Sequence, residues 1–233
     1  METNQTTLKT KVYNLVILDK SGSMDSIRKE AVDGYNETLA TVQAAQRKHA
    51  DTQEHFVSLA AFCGCGIDMI HDKKPIGEVE KLKPEQYSPC CMTPLYDAIG
   101  ITINKLKADI KDDEDAAVLV TIITDGYENA SKEWNAPAIK KLVDECKKEG
   151  WVFAFIGAGE DIVKIATTIS ISNTIVWEKT SQGTADMFST ENAAHSRFYD
   201  KMAAPCSVGA SIFERKKMRQ QFAEEYYDED KKA

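Results

Sequence analysis

A doubly wound α/β fold, a three-layer α/β/α sandwich around a mostly parallel sheet with an antiparallel edge strand, is predicted by three observations. Two continuous apolar runs rich in β-branched residues, Val12–Leu18 and Ala117–Thr124, read as strands buried on both faces. Segments of helical period alternate with such runs along most of the chain. Both runs end in an aspartate followed by a turn containing glycine, Asp19-Lys20-Ser21-Gly22 and Asp125-Gly126, as chain does where it leaves the carboxyl edge of a sheet.

The elements follow in order. Residues 1–10 read as an arm ahead of the first strand. Asp25–His49 reads as a helix with Ile27, Ala31, Tyr35, Leu39 and Val42 along one side. Phe56–Cys63 is a strand, 64–66 a turn, and Ile67–Ile76 a mixed strand whose polar residues and Pro75 suit a sheet edge. Glu78–Pro89 is charged, carries two prolines and has no period, so it reads as a surface loop delivering Thr93. Pro94 then fits the first position of a helix carrying Leu95, Ile99, Ile103, Leu106 and Ile110.

After the 117–124 strand, Pro137 opens a helix with Ile139, Leu142, Val143 and Cys146 on one side, and Gly150 fits the position just past its end. Trp151–Ile156 is another buried strand. Gly157-Ala158-Gly159 reads as a turn, because G-x-G without a third glycine is a poor phosphate loop. Ile162–Thr168 is a short helix and Thr174–Trp177 a last strand. Residues 184–204 form a helix with Met187, Phe188, Ala194, Phe198 and Met202 free to pack, and Ser211–Phe222 forms another. The expected organisation is one α/β domain over 11–180 and a helical extension over 181–233 packed on it, ending in an acidic tail from Glu224.

A length of 233 residues suits one core rather than two. A formal charge of −8 and a pI near 5.1 argue against nucleic acid or an anionic membrane as partner, since both need clustered positive charge. The N-terminus lacks the positive start and apolar core of a secretory signal, and no segment approaches the ~18 apolar residues of a membrane span. A cytoplasmic protein with reduced cysteines is expected. His49, His55, His71 and His195 show no ligand spacing and read as surface or helix residues. Cys63-Gly64-Cys65 and Cys90-Cys91 lie near strand ends of one sheet edge. Their spacing is not that of common structural zinc sites, so small buried or half-buried thiols are the reading, with a zinc site or a redox disulfide as alternatives.

The chemistry concentrates in three segments. Asp19, Ser21 and Ser23 form a D-x-S-x-S cluster, Thr93 stands at a helix start, and Asp125 ends the second strand. Hard oxygen donors of this kind suit Mg²⁺. In this order, with the segments T-P-L-Y-D-A-I-G (93–100) and I-I-T-D-G-Y-E-N (122–129), the chain resembles von Willebrand factor A domains and their metal-ion-dependent adhesion site over residues 11–180. The resemblance implies a strand order of 3-2-1-4-5-6. It also implies that the hydroxyls of Ser21, Ser23 and Thr93, with Asp19 and Asp125 acting directly or through water, hold Mg²⁺, or Mn²⁺ or Ca²⁺, leaving one position for an Asp or Glu of a protein partner. Neutral hydroxyls add no negative charge, so the ion keeps the electrophilicity to attract that carboxylate. The short architecture resembles bacterial and phage members of the family, which implies an association with an ATPase or a stress-resistance system such as tellurite resistance.

Competing readings are weaker. Ser, Gly and Asp are ordinary turn residues, and Asp19 could merely cap a helix. A Mg²⁺-dependent phosphoryl-transfer hydrolase with a haloacid-dehalogenase-like site needs a second aspartate two residues after the first, where this chain has Ser21, and no nearby lysine motif replaces the rest. No G-x-S-x-G elbow or histidine base supports a serine hydrolase. A carboxylate of the 224–233 segment could also occupy the metal of its own or a neighbouring chain. The expectation is a non-catalytic, metal-dependent protein-binding module.

Overall fold

The computed structural model describes residues 9–159, 161–207 and 210–227. Six strands form one sheet: β1 (Thr10–Asp19), β2 (Gln53–Cys63), β3 (Gly66–Pro75), β4 (Ala117–Thr124), β5 (Val152–Ala158) and β6 (Thr174–Trp177), in the order β3-β2-β1-β4-β5-β6. Parallel pairing runs from β2 to β6, and β3 alone is antiparallel, at the edge and with shifts of register against β2. This is the expected doubly wound sandwich. The central strands β1 and β4 are buried along almost their whole length, which is why they read as continuous apolar runs rather than alternating ones.

Helices cover both faces. On one lie α2 (Leu95–Asp109), α3 (Ala136–Lys148) and α4 (Ile162–Thr168), packing Ile99, Ile103, Val143 and Ile162 onto Leu15, Ile17, Val120, Ile122 and Phe155. The opposite face is covered by α1 (Arg28–Lys48) and α5 (Ser181–Ser207), whose Leu39, Val42, Phe198 and Tyr199 meet Val12, Leu119 and Ala154. The two helices touch closely at Gly34, where a Cβ would lie 1.9 Å from the Phe188 ring. Any side chain there would push α5 off the sheet. Phe188 is itself fully buried, a burial that stabilises by about 1.5–3 kcal/mol.

Polar groups lock the C-terminal segment to the sheet. The Tyr199 hydroxyl donates to Asn14 Oδ1 at 2.7 Å, satisfying a buried polar side chain of β1. Glu191 on α5 is buried and accepts from Thr121 of β4 at 3.0 Å and from the hydroxyls of Tyr226 and Tyr227, with His195 beside it at 3.2 Å. The last helix, α6 (Ile212–Glu224), begins with a capping box between Ser211 and Glu214. It brings Arg215 and Arg219 to Asp115, just ahead of β4, each at 3.1 Å. Asp115 also accepts from Thr10 at 2.7 Å.

Several sequence expectations change. Residues Gly22–Ile27 form a 3₁₀ turn and α1 begins only at Arg28, because the chain must first swing back over the strand ends. The 78–89 loop is not merely surface, since Val79, Leu82 and Tyr87 are buried against α1 and β1. His55 and His71 lie buried in strands rather than on the surface or in helices, and His195, on a helix as read, is buried as well. Tyr226 and Tyr227 are core residues inside what reads as a charged tail. The remaining acidic residues, 228–233, and residues 1–8 of the arm lie outside the described residues.

Candidate metal centre

The carboxyl ends of β1 and β4, adjacent in the sheet, place Asp19 and Thr124 side by side. Asp19 is completely buried; its Oδ1 accepts from the Ser21 amide at 2.6 Å and its Oδ2 from the Thr124 hydroxyl at 2.6 Å. These bonds turn the carboxylate toward the turn that follows β1. Tyr87, from the loop before Thr93, donates its hydroxyl to the Asp19 carbonyl. Burial pushes the Asp19 carboxyl above its ordinary value, against the hydrogen bonds from Thr124 and Ser21, and the charge of Asp125 adds to the rise.

The 3₁₀ turn then presents two hydroxyls. Ser21 Oγ and Ser23 Oγ lie 3.2 Å apart, and Ser23 donates to Asp125 Oδ1 at 2.7 Å. Thr93 arrives on the loop before α2, its amide donating to Asn129 Oδ1 at 2.9 Å while the Asn129 amide donates to the Thr93 carbonyl at 3.2 Å. Glu128 and Asp97 fix this pairing. Glu128 accepts from the amides of Tyr96, Ala130 and Ser131, and Asp97 from those of Lys132, Glu133 and Trp134. The first amides of α2 are satisfied in part by the same loop, so the helix start and the turn after β4 hold each other in place.

Gly126 marks where the oxygens converge. A Cβ at this residue would stand 3.2 Å from Thr93 Oγ1, 3.7 Å from Ser23 Oγ and 3.8 Å from Asp19 Oδ2. Three side-chain oxygens, two from the end of β1 and the turn after it and one from the loop before α2, therefore approach one point on the turn after β4, and hydrogen bonds through Ser23 join Ser21 and Asp125 to them. All five sequence-derived residues, Asp19, Ser21, Ser23, Thr93 and Asp125, are brought together.

A lysine stands at the same place. Lys179, just past β6, ion-pairs with Asp125 Oδ2, whose side chain is buried, and donates to the Ser23 carbonyl. An ammonium already drawn to these oxygens is a stand-in for a cation. Two carboxylates and three neutral hydroxyls beside one ammonium make a cluster of hard oxygen donors, which fits a divalent cation. Thr124 is missing from the sequence-derived set although it sits beside Asp125. Lys179 has no signal at all in the sequence, because a flexible four-carbon side chain reaches the site from the far side of β5. Around the rim Met92 and Tyr127 are 59% and 55% exposed.

Neither a protein-family model nor a curated protein sequence matches the chain. Solved structures do match its fold. A von Willebrand factor type A protein from Catenulispora acidiphila superposes with a TM-score of 0.55 at 16% identity, over 81% of this chain and 43% of that one. The pilus adhesin SpaC from Lactobacillus rhamnosus GG, in its open conformation, gives 0.58 at 14% identity, over 82% and 30%. The SpRpn10 VWA domain gives 0.51 at 10% identity, over 79% and 95%. The chain thus spans less than half the length of the first two and nearly all of the third.

Proposed function

Starting from a fold shared with von Willebrand factor A domains, we propose that the chain is a metal-dependent protein-binding module, non-catalytic and cytoplasmic. Asp19, Ser21, Ser23, Thr93 and Asp125 would hold a divalent cation, Mg²⁺ in the first place, with Mn²⁺ and Ca²⁺ as alternatives. The convergence of Thr93, Ser23 and Asp19 oxygens within 4 Å of the Gly126 Cβ position carries this reading. When bound, the cation supplies an electrophilic point for an oxygen ligand from outside. The partner is a protein presenting an Asp or Glu side chain.

The chain's own residues divide the work. Asp19 and Asp125 supply charge; the three hydroxyls supply neutral oxygens that leave the charge under-compensated. Met92 and Tyr127, beside Thr93 and Gly126, offer apolar contact around a single polar anchor, the arrangement in which a directional contact sets register and surrounding burial supplies affinity. The non-catalytic reading rests on Ser21, which stands where a haloacid-dehalogenase-like hydrolase needs its second aspartate. Lys179 alone does not restore that chemistry. Association with an ATPase or stress-resistance system belongs to this proposal by family analogy only.

Calorimetric titration of the metal-stripped protein with Mg²⁺ tests the reading. One ion per chain is expected, with binding abolished in Asp19→Ala. Capture of an acidic peptide should then require metal and be lost in chelator. Identical titrations of wild type and Asp19→Ala overturn the assignment.

A further inference from the structure

The two cysteine pairs, separated along the chain by the whole of β3 and the loop after it, meet in the fold. Cys63 ends β2, Cys65 sits in the turn to β3, and Cys90 and Cys91 lie on the loop that delivers Thr93. Cys63 Sγ is 3.4 Å from Cys90 Sγ, Cys65 Sγ is 3.8 Å from Cys90 Sγ, and Cys65 Sγ is 3.1 Å from Cys91 Sγ. The sulfurs of Cys63, Cys65 and Cys90 all lie within 4.8 Å of one another. From this cluster we propose a second metal site, in which Cys63, Cys65, Cys90 and Cys91 bind one Zn²⁺ as thiolates.

The contacts suit the ion. Zn–S bonds of ~2.3 Å arranged as a tetrahedron put sulfurs ~3.8 Å apart, against 3.4 and 3.8 Å for the contacts of Cys90 with Cys63 and Cys65, whereas a disulfide needs ~2.0 Å; Cys91, 3.1 Å from Cys65, would close in on the other two as the ion binds. Two disulfides would also pair the sulfurs off, while here Cys90 and Cys65 each touch two others. Cys91 holds the left-handed conformation, φ +62°, which costs a non-glycine residue about 1–2 kcal/mol and is retained only where the surroundings demand it. In that conformation its sulfur meets Cys65.

Charge at the cluster is also suitable. Four thiolates around Zn²⁺ leave two negative charges, and the Lys20 ammonium lies close enough to Cys63 and Cys90 to offset part of them, held by its ion pair with Asp68. Hydrogen bonds from Cys91, Cys90 and Cys63 hold the Cys65 thiol below its ordinary value. Cys90, hydrogen-bonded chiefly to Cys63, is pushed up to about 12. Loading replaces S–H bonds by Zn–S bonds and releases those protons to water.

The site would clamp the loops that build the oxygen cluster. Gly22 donates to the Cys91 carbonyl at 3.1 Å, Cys90 to the Lys20 carbonyl at 2.9 Å and Gly64 to the Met92 carbonyl at 2.8 Å. Zinc would thus fix Thr93 relative to Ser21. That consequence alone rests on the proposed function; zinc binding itself does not.

The test is zinc content and Co²⁺ substitution of the reduced, full-length protein, with Asp19→Ala as the background that removes the oxygen site. The expected result is one Zn²⁺ per chain in both wild type and Asp19→Ala, proton release on loading, and a thiolate-to-Co²⁺ charge-transfer band. Cys65→Ser and Cys91→Ser, both at exposed positions, should keep the circular dichroism of wild type and weaken zinc at least tenfold, whereas Cys146→Ser should not. Four thiols that react at the same rate with and without Zn²⁺, zinc retained in both serine variants, or a disulfide recovered in place of bound zinc would each overturn the proposal.

Discussion

Replacing Lys179 by methionine should tighten Mg²⁺ binding. The ammonium pairs with the buried Asp125 carboxylate and with the Ser23 carbonyl, so a cation at the five oxygens must displace it or bind beside it. A divalent ion ~4 Å from a unit positive charge is repelled by ~2 kcal/mol in water and by ~8 kcal/mol at an effective dielectric of 20. Lys179 is 30% exposed and can swing into solvent, which places the cost near the lower figure. Since 1.4 kcal/mol is tenfold, Lys179→Met should bind Mg²⁺ about 30-fold more tightly. Lys179→Arg, which keeps the charge, should stay close to wild type. Calorimetric titration at low ionic strength reads the difference, and added salt should shrink it. Unchanged or weaker affinity in a folded Lys179→Met protein would show that the ammonium and the metal do not share these oxygens.

Other outcomes follow from the same geometry. Gly126→Ala should lower Mg²⁺ affinity at least tenfold while changing the urea midpoint little, because the added methyl meets Thr93, Ser23 and Asp19 oxygens rather than the core. Glu191→Ala should lower stability by about 3–5 kcal/mol, read by urea denaturation, because it strands the hydroxyls of Thr121, Tyr226 and Tyr227 beside His195. His55 is buried beside Gln53, and burial, with the charges of His49 and His195, pushes its imidazole down to about 3. The unfolded chain takes up that proton below about pH 6.5 and the folded one does not, so its contribution is complete above pH 6.5 and is lost as pH falls toward 3. About 2 kcal/mol should be gone by pH 5, and His55→Gln should flatten that part of the stability profile. Incubation with phosphate esters and Mg²⁺ should give no turnover; activity abolished by Asp19→Asn would favour phosphoryl transfer instead.

Much of the fold is legible in the sequence because the chain's strongest signals are the buried parallel strands. β4, α4 and β6 begin and end where the apolar runs and helical period place them. The oxygen donors are legible for a related reason: Asp19, Ser21, Ser23 and Asp125 sit at the ends of those strands or in the short turns directly attached to them. What the sequence hides is long-range pairing. A lone histidine in a strand reads as exposed until Gln53 and Tyr199 are found against His55. Tyr226 and Tyr227 read as tail because their partner, Glu191, lies a helix away. Lys179 escapes notice since its reach, not its sequence neighbourhood, sets where its charge goes. The two cysteine pairs are legible as neighbours at one sheet edge, but their sulfur-to-sulfur contacts appear only when β2 and the Thr93 loop are brought side by side.

The most direct measurement is a crystal structure of the protein grown in Mn²⁺, with anomalous scattering locating the ion. A peak between the oxygens of Ser21, Ser23, Thr93, Asp19 and Asp125, with Lys179 turned away and one coordination position facing Met92 and Tyr127, is the predicted result. An absent peak at saturating Mn²⁺, or an ion whose every position is filled from within the chain, would contradict it.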